Sequence, residues 1–94
     1  MKVFISQPMS GLTDDEIFAT RDRVKKFLED VYDWEVIDSY IKEDGNPVYL
    51  LGRSIELLSQ ADKIYMVKGW QNSRGCKIEY EVAKTYDIGI VEEM

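Results

Sequence analysis

Histidine is absent from this 94-residue chain, and cysteine occurs once, at Cys76. The first absence removes imidazole as acid, base or metal ligand. Catalysis here has to run on carboxylates, hydroxyls, the thiol or backbone donors. A single cysteine cannot form an internal disulfide, which fits a reducing, cytoplasmic compartment. Positive charge is also short: 12 Lys and Arg against 18 Asp and Glu leave a net charge of −6. A nucleic-acid polymer is therefore not an expected partner, since such binding rests on cations neutralising phosphates. A small nucleotide needs only a few donors and stays open. No apolar run nears the roughly 18 residues of a membrane span. The opening "MKVFIS" has strand rather than signal-peptide character, so no membrane association is expected. A chain this short makes one domain, residues 1–94. Its core is modest and gains from association, so a homo-oligomer, dimer or larger, is expected.

What is present alternates between two periodicities. "KVFIS", Lys2 to Ser6, is a β-rich run, and the polar loop "QPMSGLT" follows it. Thr13 and Glu16 form a capping box that predicts a helix to about Tyr32. Ile17, Thr20, Val24, Phe27, Leu28 and Val31 give that helix its apolar spacing, and Arg21, Arg23, Lys25 and Lys26 are assigned to other faces. "WEVID", Trp34 to Asp38, is a second strand, and "KEDGNP", Lys42 to Pro47, is a turn cluster. A second helix over Val48 to Gln60 carries Leu51, Ser54, Ile55 and Leu58 on one stripe. "KIYMV", Lys63 to Val67, has the apolar density of a central strand. A third helix over Ser73 to Tyr86 and a last strand, Ile88 to Val91, complete the chain.

The order β-α-β-α-β-α-β with short connections predicts an α/β fold. Its form is a flavodoxin-like three-layer sandwich with a four-stranded parallel sheet of order 2-1-3-4 and helices on both faces. Ligands of such sheets bind beyond the carboxyl ends of the strands, where the winding reverses. That point lies between the first and third strands, beside the loops Ser6 to Thr13 and Lys68 to Ser73.

One residue breaks the amphipathic pattern of "SRGCKIEYEVAK". At about 100° per residue, Arg74, Lys77, Glu81, Lys84 and Thr85 form the polar side. Cys76, Ile78, Tyr80, Val82, Ala83 and Tyr86 are assigned to the apolar side. Glu79 falls in the apolar arc, and no basic residue shares its face of the helix. Two readings follow. Glu79 is a structural acid paired with a cation from elsewhere, or it is a carboxylate made reactive by burial in a pocket.

Around it, Gly75 sits in the first turn of the helix, where glycine serves either close packing or backbone approach by a ligand. The loop residues Ser6, Gln7, Pro8, Met9, Ser10 and Gly11 offer hydroxyls, an amide and backbone donors, although they form no P-loop. Trp70 either stacks a base or covers the core or a subunit interface, and Asn72 and Ser73 complete the second loop, with Ser73 a natural N-cap. Cys76 has the setting of a small buried hydrophobe, not of a nucleophile. Asp62 is a turn residue at the amino end of its strand. Asp14, Asp15, Asp38, Glu43, Asp44, Glu92 and Glu93 are assigned to helix ends or solvent.

Taken together, "KVFISQPMSG", "LLSQADKIYMV" and "SRGCKIEYEVAK" make the chain resemble nucleoside 2-deoxyribosyltransferases and their nucleotide N-glycosidase relatives, in particular a short bacterial and phage branch. The resemblance spans nearly the whole chain and includes the spacing G-x-x-x-E-x-x-x-A at Gly75, Glu79 and Ala83. It implies that Glu79 is a nucleophile that attacks the anomeric carbon of a nucleoside or nucleotide. Ser6, Gln7, Ser10 and Ser73 would hold the sugar or phosphate, and Trp70 or Met9 would wall the base. No metal or organic cofactor is implied. With few basic residues near the crevice, a nucleoside is favoured. Ser54 stands where the resembled enzymes carry an aspartate beside the nucleophile. That departure raises a second reading, a nucleotide-binding or sensing module on the same fold without turnover.

Overall fold

A computed structural model of the chain describes residues 1–41 and 45–94. Lys42, Glu43 and Asp44, part of the expected turn cluster, lie outside the described residues. The chain runs β1 (Lys2–Ser6), α1 (Asp14–Tyr32), β2 (Glu35–Ile37), α2 (Pro47–Leu58), β3 (Lys63–Met66), a single 3-10 turn (Trp70–Asn72), α3 (Arg74–Thr85) and β4 (Gly89–Glu92). The four strands are parallel in the order β2-β1-β3-β4, as the sequence predicts.

The period-2 alternation of the two central strands divides the interior into two cores. Val3 and Ile5 of β1, with Tyr65 and the adjoining Val67, point to one side, where Val24 and Leu28 of α1 cover them. Phe4, Ile64 and Met66 point to the other, where they meet Leu58 of α2 and Cys76 and Ala83 of α3. The result is three layers, with α1 alone on one face and α2 and α3 on the other. Ser6 is two residues beyond Phe4 and so directs its side chain to the α3 face, at the carboxyl end of the sheet.

Local chemistry sets the helix ends. The Thr13–Glu16 capping box is formed in both directions. Asn46 caps α2 through a 2.8 Å bond from the Tyr49 amide, and Pro47 follows it in the first turn. Ser73 caps α3 by accepting from the Cys76 amide. After β3 the chain turns at Gly69, whose φ of 93° is open to glycine at little cost.

Several face assignments change. Ile78 is 44% and Tyr86 74% exposed. Ile78 is two residues from Cys76, a rotation of about 200° that carries it to the opposite side of the helix. On α1, Phe27 and Val31 are exposed, and the inward stripe is Ile17, Val24 and Leu28. Arg21, four residues after Ile17 and three before Val24, belongs to that stripe and is half-buried. Glu93 is not a solvated charge. It accepts from the Tyr65 hydroxyl at 3.1 Å and the Lys68 amide at 3.1 Å, and it pairs with Arg23 at 3.0 Å. Burial first, then this bond to Glu93, push the Tyr65 phenol up to about 12.

The α1 assignment is open to test by urea unfolding. Leu28→Ala should cost about 3 kcal/mol, while Val31→Ala, at an exposed position, should change stability by less than about 0.5 kcal/mol. Equal losses would contradict the inward stripe.

Candidate active site

Glu79 is 7% exposed and lies on the same helix face as Cys76 and Ala83. The Ser6 hydroxyl donates to its Oε1 at 2.6 Å. The strand period of β1 and the helix period of α3 thus converge on one carboxylate. The Ser54 hydroxyl of α2 and the positive charge of Arg21 on α1 also favour the ionised form. Burial outweighs all three and lifts the carboxyl from 4.5 to about 6. The group therefore stays mostly ionised at neutral pH but takes a proton more readily than an exposed glutamate.

A cavity of 530 Å³ opens onto Glu79. Its lining includes Gln7, Met9 and Ser10 after β1, Ser54 on α2, and Asn72, Ser73 and Gly75 at the start of α3. These were expected on sequence grounds. Ser39, Ile41, Pro47, Leu50, Leu51, Arg74 and Cys76 also line it and were not expected as site residues. The crevice lies on the α2–α3 side of the sheet, so the first half of α2 forms a wall that the Lys68–Gln71 stretch does not. The stripe containing Leu51 and Ser54 carried the signal for this, because α2 has to share a face with α3. Arg74 also amends the expectation of a crevice poor in cations.

Other expected contacts fall elsewhere. Ser6 is 1% exposed and lies beneath the cavity, where its hydroxyl is donated to Glu79. Pro8 and Gly11 are outside the lining. Trp70 is also outside it. The 3-10 turn folds its ring onto Tyr80, with centroids 4.6 Å apart and planes at 19°. Its indole N–H donates to Glu92 at 3.2 Å. Trp70 thus covers the core, one of its expected placements. Cys76 is buried, and burial raises its thiol above the ordinary value, which suits packing better than nucleophilic chemistry. Asp62 accepts from the Lys2 amide at 2.8 Å, at the amino edge of the sheet as expected.

Gly75 resolves against the packing expectation. A Cβ placed there would meet only Leu51 Cδ1, at 4.0 Å, an ordinary contact. Close packing therefore does not require glycine, and the position faces the cavity.

Gln7 donates its amide N–H to the Ile17 carbonyl at 3.1 Å. Arg21 donates from Nη1 to Ser39 Oγ at 2.8 Å, and Ser39 donates to the Ile5 carbonyl at 3.1 Å. Among the described residues, Glu79 is the only carboxylate on the lining, and no ion pair closes on it. The structural-acid reading would need a clamping cation within reach, and Arg21 instead spends its hydrogen bond on Ser39.

A parallel three-layer α/β domain with a buried carboxylate at a cavity beyond the strand ends is the class that fold and site define. Within that class the chain belongs to DUF4406, a family of domains of unknown function whose profile matches residues 1–92. No curated protein and no solved structure gives a significant match.

Two stability measurements follow. The folded chain binds the Glu79 proton more tightly than the unfolded chain, so this group's favourable contribution exists at low pH and is lost as pH rises from 4.5 through about 6. Glu79→Gln should therefore stabilise the protein at neutral pH by up to about 2 kcal/mol, with the gain vanishing near about pH 4. Thermal unfolding of both proteins across pH checks this, and a loss at neutral pH contradicts it. Gly75→Ala should raise stability by roughly 0.5 kcal/mol. Marked destabilisation would show that the glycine serves packing after all.

Proposed function

We propose that this protein is a nucleoside 2-deoxyribosyltransferase-like enzyme that cleaves or exchanges the N-glycosidic bond of a (deoxy)nucleoside or nucleotide, with Glu79 as nucleophile. One observation carries the reading. A carboxylate sits almost fully buried at an open cavity, hydrogen-bonded by the Ser6 hydroxyl and, among the described residues, free of a clamping ion pair. A carboxylate that costs stability to bury is suited to chemistry. The resemblance in "KVFISQPMSG" and "SRGCKIEYEVAK" supplies the reaction.

In this mechanism a Glu79 oxygen attacks C1′ through an oxocarbenium-like transition state. The C1′–N bond breaks, and the base leaves with the electron pair and takes a proton from solvent. Water or the nitrogen of a second base then attacks C1′ of the glycosyl ester and releases Glu79. Two attacks on C1′ retain its configuration. Ser6 and Ser54 hold the carboxylate, while Gln7, Ser10, Asn72 and Ser73 face the sugar. Met9, Leu50 and Leu51 give an apolar wall for the base. The free, buried Cys76 thiol agrees with a cytoplasmic setting.

A second reading has its own support. Glu79 has no carboxylate partner on the lining among the described residues, and Ser54 occupies the place where the resembled enzymes carry an aspartate. That composition fits a module that binds a nucleotide without turning it over.

Incubation with deoxynucleosides, deoxynucleotides and a second free base, followed by chromatography, separates the readings. The enzyme should release or exchange base, and Glu79→Ala should lower the rate at least about a hundredfold. The rate should fall as pH drops through about 6, where Glu79 takes up its proton. Nucleotide binding by calorimetry without product supports the module, and the absence of both binding and turnover overturns both readings.

A further inference from the structure

The α1 helix carries the counterpart of the feature that marks α3. Arg21 lies on the inward stripe between Ile17 and Val24, half-buried under the sheet edge. Its Nη1 donates to Ser39 at 2.8 Å, and its Nε is buried without a partner. Burying part of a guanidinium with one donor unmet opposes folding. An apolar side chain of similar length would fill the same stripe without that cost. The arginine is therefore best explained by what its charge and its one anchored donor do.

Both lead to the cavity. Ser39 is 4% exposed, lines the 530 Å³ cavity and passes the chain of hydrogen bonds to the Ile5 carbonyl at 3.1 Å. Ile5 adjoins Ser6, the residue that holds Glu79. We propose that Arg21 is a positioning residue for Glu79, pinning the Ser39 wall of the cavity through its hydrogen bond and setting a fixed positive charge behind the sheet edge. Arg74 of α3 also lines the cavity, but it lies five residues before Glu79 and so falls about 140° away around the helix. The groups beside Glu79 are Ser6 of β1, Ser54 of α2 and Cys76 on its own helix, none of which is cationic. The groups whose charges act on Arg21 are Asp38, Glu79, Tyr40 and Cys76. Tyr40 lies under the guanidinium at 5.7 Å from its ring centroid, and Asp38 shares the charge, so Arg21 is held between two acids and committed fully to neither.

This inference rests on the reading of Glu79 as the reacting carboxylate only for its catalytic consequence, and its primary test needs no turnover. The Glu79 carboxyl is titrated by carbon-detected NMR, with its resonance assigned by loss in Glu79→Gln. Arg21→Met, which keeps length and apolar packing, should raise the midpoint by roughly one pH unit, the low end of the effect of a nearby opposite charge. Ser39→Ala, which leaves the charge but frees its anchor, should raise it by less. If turnover is found, the acid limb of the pH–rate profile should move upward with the midpoint. Unchanged midpoints in both folded variants overturn the proposal. Should Arg21→Met fail to fold, Ser39→Ala decides alone, and an unchanged midpoint there overturns it.

Discussion

The Ser6–Glu79 hydrogen bond, 2.6 Å long and buried, is the contact on which the candidate site depends. It joins the last residue of the central strand to the middle of the last helix. The helix is brought there by the sheet order, because placing β3 beside β1 obliges α2 and α3 to cover the face that Phe4 and Ser6 address. The carboxylate then meets hydroxyls at the one edge of a parallel sheet where strand ends leave a crevice. Had α3 been phased one residue differently, Glu79 would be a solvent charge and the cavity would have no acid in it.

Such a contact is poor as a stabilising device. The Ser6 and Ser54 hydroxyls and the Arg21 charge do not offset the loss of water around the carboxylate, which is why the carboxyl sits at about 6 instead of below 4.5. The same chain shows what a stabilising acid looks like. Glu93 is only partly buried, and there too desolvation raises the carboxyl. Arg23, the Lys68 amide and the Tyr65 hydroxyl together outweigh that and hold it below the ordinary range. Glu93 ties β4 to the end of β3, and Glu79 ties nothing that an apolar pair could not tie better. The contrast between these two acids is the strongest physical ground for giving Glu79 a chemical role.

Much of this was legible in the sequence. Strand order, helix limits to within a residue or two, the capping box and the inward placement of Glu79 follow from period, caps and turn residues, all local quantities. What failed was non-local. Trp70 carried no local sign that the 3-10 turn would lay it on Tyr80. Glu93 carried none that Arg23, seventy residues earlier, would reach it. The α2 wall, with Leu50, Leu51 and Pro47, depended on which helix shares a face with α3, which a loop-centred view of the crevice leaves out. Arg21 was a different kind of miss. Its spacing from Ile17 and Val24 was as readable as that of Glu79, but the apolar stripe was drawn through Phe27 and Val31, and a cation was assumed to face water.

The two inward charges sit on opposite faces of the sheet, and that arrangement bears on what the site can do. A cation on the Glu79 face would close on the carboxylate as an ion pair and leave it stable and unreactive. A cation behind the sheet edge, engaged with Ser39, Asp38 and the Tyr40 ring, acts through its field without closing on the carboxylate. A nucleophile needs that combination of charge without a blocking partner. A pure binding module does not, because for binding alone a fully paired acid or a neutral amide would serve with less loss of stability. The placement of Arg21 therefore weighs toward the enzymatic reading, even though Glu79 has no second acid beside it on the lining among the described residues.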